Sequence, residues 1–225
     1  MRRTHRHALV VRRAARLGAA ALLAATCLSL GGCRSLGYVG YLLAPEAPQK
    51  TVPAEFEGLA GRTVAVVIFS DERVQYEYPY ARLTLASAIR AELISRLKNT
   101  TVVDPGRVCR YQDEHINWEA MDKTALAKDL GADYVLQVAL VEYTTREPGS
   151  VNLFRGRITA QAGVYQADLP ERSARVWWCD NISVVNPKDN PVGLVGDGDR
   201  QIRGATERLF ADALVKNFYA HKAPK

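Results

Sequence analysis

Few residues in this sequence stand at spacings that support chemistry. His115 closes the triplet Asp113-Glu114-His115, a corner of the kind that holds a metal ion. No second His or Cys stands at ligand spacing, so the triplet reads as a surface loop of solvated charges and no bound metal is expected. Asp197-Gly198-Asp199 carries part of the ligand pattern of a calcium loop but lacks the later glutamate. It reads as a turn followed by a helix cap at Asp199. Glu142 falls on an expected strand, half-buried, without a second carboxylate for acid–base work. No G-x-S-x-G, P-loop or G-x-G-x-x-G motif occurs, and no strand-adjacent Cys has a clear His partner. The expectation is a protein without catalytic residues, not an enzyme.

Candidates for binding are more visible. Tyr76, Tyr78 and Tyr80 alternate in a polar loop that follows an apolar strand. Three rigid amphipathic rings at the carboxyl end of a parallel strand make a partner-binding surface, and Pro79 stiffens the loop. The alternative is a lid folded back over the next helix. Trp177 and Trp178 straddle the two faces of a late strand; Trp178 is assigned to the core and Trp177 to the partner-binding surface. Cys109 and Cys179 are candidates for one disulfide, which would close a loop of about 70 residues and stabilise by roughly 4 kcal/mol. Two separate small core residues are the alternative.

The formal charge of +6 comes from 30 Lys and Arg against 24 Asp and Glu in 225 residues. Residues 1–32 hold six of those arginines and no acid, so the remainder is neutral. A nucleic-acid partner therefore loses its electrostatic support. Leu17 to Leu30 is an apolar run shorter than the ~20 residues of a membrane span, and Leu30-Gly31-Gly32-Cys33 follows it. A basic start, a short apolar run and a small-residue site make a secretory signal peptide that is removed.

Those last four residues resemble the bacterial lipobox. In that family the Cys thiol receives diacylglycerol, the chain is cut before it, and the new amino group is acylated. The resemblance implies lipidation at Cys33, with a diacylglycerol and a palmitate-class N-acyl chain and no other cofactor. Cys27, behind Ala24-Ala25-Thr26, makes a poorer box, and an ordinary secreted protein is the alternative. Each buried CH₂ contributes about 0.8 kcal/mol and stable anchoring takes more than one chain. The protein would thus touch a membrane through its anchor without spanning it.

Residues 33–62 read as a lipidated tether, because Gly and Pro punctuate them densely. Residues 63–225 read as one globular domain. Thr63 to Phe69 is a strand buried on both faces. Leu85, Ile89, Leu93 and Leu97 mark a helix over 81–98, and Thr100 to Val103 a short strand. Asn117 is placed as the cap of a helix from Trp118 to Leu130, with Gly131 after it. Three strands follow over 133–145, 155–165 and 175–185 as an antiparallel meander. A last helix starts at Asp199, with Ile202, Ala205, Leu209, Phe210 and Ala213 facing in. The fold class is α/β: a single mixed five-stranded sheet in β-α-β-α-β-β-β-α order, helices mainly on one face.

The segment Leu130-Gly131-Ala132-Asp133-Tyr134-Val135-Leu136, with the Val64 to Phe69 strand, the Leu85 to Leu97 helix and Val102-Val103-Asp104, resembles a group of bacterial envelope lipoproteins. The group includes CsgG, LpoB and the amino-terminal domain of TolB. A second resemblance, through Gly37-Tyr38 behind the lipidated Cys and the Ala-Asp-x-Val-Leu strand, is to the lipopolysaccharide-assembly lipoprotein LptE. Either resemblance implies a non-enzymatic module on the periplasmic face of the outer membrane that contacts other envelope proteins, with oligomerisation allowed. A periplasmic hydrolase or ligand-binding protein with an unrecognised site is the alternative from another class.

The anchor is directly testable. Mass spectrometry of the membrane-extracted protein is expected to show a diacyl or triacyl mass on a peptide beginning at Cys33. Cys33→Ala is expected to leave the protein out of the membrane fraction; unchanged retention would contradict the lipobox reading.

Overall fold

Val64 to Ile68 is apolar at every position, so neither face of that segment can meet water. It forms the middle of strand β2 (Thr63–Phe69), and all five side chains are buried. The computed structural model describes residues 49–150, 152–189, 194–195 and 198–224. The segment 1–32 expected to be a signal peptide, the expected lipidation site Cys33, Gly37-Tyr38 and Asp197 lie outside them.

β2 pairs in parallel with β4 (Tyr134–Arg146), from Val64 opposite Tyr134 to Phe69 opposite Ala139. The short β3 (Thr101–Val102) flanks β2 on its other side, also parallel. β4, β5 (Leu153–Gln166) and β6 (Arg175–Asn186) continue as an antiparallel meander. The order is β3-β2-β4-β5-β6, the mixed five-stranded sheet expected, and β7 (Leu194–Val195) adds a short pairing to β5. β1 (Gln49–Val52) and β8 (His221–Pro224) form a two-stranded pair.

Helix α1 (Glu72–Glu77) starts at Asp71, whose Oδ1 accepts from the Val74 amide at 2.8 Å. α2 (Ala81–Arg96) turns Leu85, Ile89 and Leu93 inward, as their spacing predicts. α3 (Pro105–Glu114) stands where no helix was expected. Asp104 caps it through the Arg107 amide, and Pro105 occupies the first helical position, where a missing N–H leaves no bond unmade. Asp113 and Glu114 therefore end a helix and do not lie in a loop. α4 (Lys123–Leu130) starts later than expected: Asp122, not Asn117, is the cap, accepting from the amide and hydroxyl of Thr124. Gly131 closes α4 in the left-handed region at φ 67°. α5 (Asp199–Val215) has Gly198 at its cap position. Asp199 lies inside the first turn and accepts from the Thr145 hydroxyl.

The long helices α2 and α5 share the face of Val64, Val66, Ile68, Leu136 and Val138. The short α3 and α4 cover Ala65, Val67 and Val135 on the other. Chain direction explains the division. The β2-to-β3 crossover moves one way across the sheet and the β3-to-β4 crossover returns over β2. Right-handed connections running in opposite directions must lie on opposite faces.

A β-bulge reverses the expected tryptophans. Ala160 pairs with Ile182 and Ala162 with Cys179, so two steps on β5 face three on β6. The extra residue turns the alternation over. Trp177 is 8% exposed, donates to Glu55 Oε2 at 3.0 Å and stands edge-on to Phe218. Trp178 is 37% exposed under the Arg175 guanidinium. Trp177 is thus core and no surface candidate.

On α5 the buried set is Ile202, Thr206, Glu207, Phe210, Ala211, Leu214 and Val215, while Leu209 is exposed. Glu207 tolerates burial because Tyr143 Oη (2.6 Å) and Thr84 Oγ1 (2.5 Å) donate to it. Burial, then the Glu207 charge, pushes the Tyr143 hydroxyl far up. The tether also ends earlier than residue 62. Lys50–Ala223 is one compact unit. Within it Leu59 is fully buried, and the Glu55 and Phe56 amides donate to the Asn217 carbonyl.

Gly156 on β5 tests how closely α5 seats on the sheet. A Cβ there would lie 1.9 Å from Thr206 Oγ1 and 2.8 Å from its Cβ. Gly156→Ala is expected to cost about 1–3 kcal/mol in denaturant unfolding. Adding Thr206→Ala relieves the closer contact and is expected to restore part of the loss; no recovery would contradict the packing.

Candidate functional site

One crossover leaves the carboxyl end of β2 and the next leaves the carboxyl end of the neighbouring β3, on opposite faces of the sheet, so the chain parts there. The crevice between them has a volume of about 490 Å³. Its floor is Phe69, the last residue of β2, and Ser70 directly after it. Asp71, Glu72 and Gln75 enter from the start of α1, Arg82 from α2, and Gln112 and Asp113 from the end of α3. Ile116, Trp118 and Glu119 close it from the following turns.

Local bonds set the polarity of this wall. Gln112 Nε2 donates to the Ile68 carbonyl at 2.9 Å, and Gln75 Nε2 to the Ser70 carbonyl at 2.8 Å. Both amide oxygens therefore remain as acceptors. Arg82 Nη2 meets Asp113 Oδ1 at 2.6 Å and ties α2 to α3. Ser70 is 3% exposed, and its Oγ has no hydrogen-bond partner among the described residues. The Phe69 and Trp118 rings lie tilted at 6.5 Å, and Ile116 is 90% exposed.

The tyrosine loop divides. Tyr76 is 89% and Tyr80 69% exposed, beside crevice residues Gln75 and Arg82 in the chain. Tyr78 is buried and is no surface candidate: its Oη accepts from the Thr145 amide at 3.2 Å and its ring stands edge-on to Tyr143 at 5.0 Å. Residues 72–77 form α1 where a loop was expected. Tyr76, near the end of α1, and its C-cap Tyr78 are two residues apart, about 200° around a helix, so one ring goes out and the other in. Tyr80 lies beyond α1, at the cap position of α2.

The remaining candidates do not converge. Cys109 and Cys179 are both free thiols, so the disulfide is not formed. Cys179 packs into the α2–α5 side of the sheet, while Cys109 lies on α3, which covers the other face. Burial pushes the Cys109 thiol up, against the opposing pull of Arg82. His115 stacks on Tyr111 at 4.0 Å, and its Nδ1 lies 2.9 Å from the Tyr111 carbonyl. Burial and the bond to Asp129 push the Tyr111 hydroxyl up to about 12. Glu142 accepts from Arg157 at 2.9 Å. Glu147 accepts from Arg157 and Arg155, which hold its carboxyl below the usual range. This is a hairpin ion cluster, not an acid–base pair. Among the described residues, no group of three or more His, Cys, Asp or Glu forms a metal site.

Gln112 was missed, and Asp113 was read only as part of a metal corner, because α3 was missed. Ser70, directly after β2, and Trp118, after α3, carry no local signal of the crevice. Asp104-Pro105, an N-cap followed by a first-turn proline, was the available signal.

No family model and no curated protein matches the chain. Among solved structures, the chain is similar to the PelC dodecamer from Paraburkholderia phytofirmans at 11% identity and a TM-score of 0.45, covering 77% of this chain and 99% of that one. It is also similar to the lipoprotein GNA1162 from Neisseria meningitidis at 16% identity and a TM-score of 0.41, covering 68% and 95%. Likeness this distant assigns neither a family nor an activity.

Proposed function

We propose that this chain is a lipid-anchored, non-enzymatic interaction module of the bacterial envelope. It is tied through Cys33 to the outer membrane, faces the periplasm, and engages another envelope protein at the carboxyl end of β2. The observation that carries the reading is the exposure of Ile116 in the crevice wall and of Tyr76 and Tyr80, one and two residues along the chain from the wall residues Gln75 and Arg82. Large apolar and aromatic side chains grouped at a sheet end are the composition of a binding surface.

The non-catalytic half rests on the floor of the same crevice. Ser70 has no base within hydrogen-bonding distance among the described residues, and His115 is held against Tyr111. No described helix is long and apolar enough to cross a membrane; attachment in this reading is through Cys33.

Replacing Tyr76 and Tyr80 together by Ser is expected to leave the melting temperature unchanged and to abolish partner crosslinks in intact cells. Tyr78→Ser is expected to lower stability by about 3 kcal/mol, because it empties a packed site. Crosslinks that survive the Tyr76/Tyr80 change would overturn this placement of the surface.

A further inference from the structure

Hydrogen-bond acceptors dominate the crevice at the end of β2. Both glutamine amides spend an N–H on backbone carbonyls and keep their oxygens. Ser70 Oγ stands unpartnered at the floor among the described residues. Four carboxylates, Asp71, Glu72, Asp113 and Glu119, face one guanidinium, Arg82, which is engaged by Asp113. One oxygen of Asp71 caps α1, so the wall is also held in place. Such a site needs a ligand that brings several N–H donors and positive charge.

The carboxylates do not converge as a metal site. They are spread along the wall, which suits the divergent donors of an organic cation. Phe69, Trp118 and Ile116 supply an apolar path beside them. A long basic side chain has that make-up, with an aliphatic stem and a charged head, and an aromatic face adds cation–π attraction.

We infer that this crevice receives the side chain of an arginine or lysine from the partner protein. The inference rests on the proposed partner surface and deepens it. Ile116, exposed in the crevice wall, and Tyr76 and Tyr80, exposed within two residues of the wall residues Gln75 and Arg82, argue for a protein as the source, since a free amine needs no such area. The basic residue enters the crevice and the surrounding partner surface meets the rings.

The test uses the full chain in detergent micelles with ¹⁵N-labelled tryptophan, the Trp118 indole signal being assigned with Trp118→Phe. The probes are N-acetyl-arginine methylamide, N-acetyl-lysine methylamide, the neutral citrulline analogue, and spermidine. A saturable shift of the Trp118 indole with either basic amino-acid probe, and none with citrulline, is expected. Glu72→Gln/Glu119→Gln is expected to weaken the binding about tenfold, through lost charge-assisted bonds. Equal shifts with citrulline, no shift with either basic probe, or a shift with spermidine alone would overturn the inference. Crosslinking separates the two claims. Crosslinks kept in Glu72→Gln/Glu119→Gln but lost in Tyr76→Ser/Tyr80→Ser leave the partner surface standing and remove the basic side chain. Crosslinks kept in the tyrosine variant remove the surface itself.

Discussion

Thr63 and Asp133 exchange two hydrogen bonds, Thr63 N to Asp133 Oδ2 and Asp133 N to the Thr63 carbonyl, each 2.8 Å long. They lock the start of β2 to the start of β4. Gly131 makes this geometry available, because its left-handed conformation turns the chain out of α4 two residues earlier. A slip of one residue would exchange the faces of β4 and drive Gln137 into the layer of Leu136 and Val138. The Gly-Ala-Asp turn is therefore a register device for the whole sheet.

That register decides where the crevice lies. With β2 held between β3 and β4, the crossovers that leave β2 and β3 diverge to opposite faces, and the space between them opens beyond Phe69. Gln112 and Gln75 then bond the Ile68 and Ser70 carbonyls. The orientation of these two amides is a consequence of backbone satisfaction. The acceptor character of the crevice is thus inherited from how the strand ends.

The exposed tyrosines depend on the buried one between them. Tyr78 is held by the Thr145 amide and by the Tyr143 ring, and Tyr143 in turn donates to Glu207 on α5. This chain of contacts ties the α1–α2 connection to the far end of β4. Tyr76 and Tyr80 are presented on an anchored segment, so less ordering is needed when a partner binds. A buried polar network beneath a surface of this kind spends core volume on holding a binding loop still.

The sequence alone determined the elements whose signals are local. The apolar run of β2, the helical spacing of α2, the alternation of β5 and the Gly131 stop are backbone periods and φ preferences readable within ten residues. The lipobox-like segment is local in the same sense. The cap signal for α3, Asp104-Pro105, is also local, but with Gly106 it reads as a turn, and the helix was not predicted. Tertiary structure alone decided which of Trp177 and Trp178 is buried, because a bulge between paired strands sets that parity. It alone placed Glu207 inside, since the donors that make its burial tolerable come from residues 84 and 143. It drew residues 50–62 into the domain through bonds to Asn217. The crevice is of the same kind: its wall joins side chains near residues 70, 82, 112 and 118. Their meeting depends on crossover direction and strand register, which no local window of sequence contains.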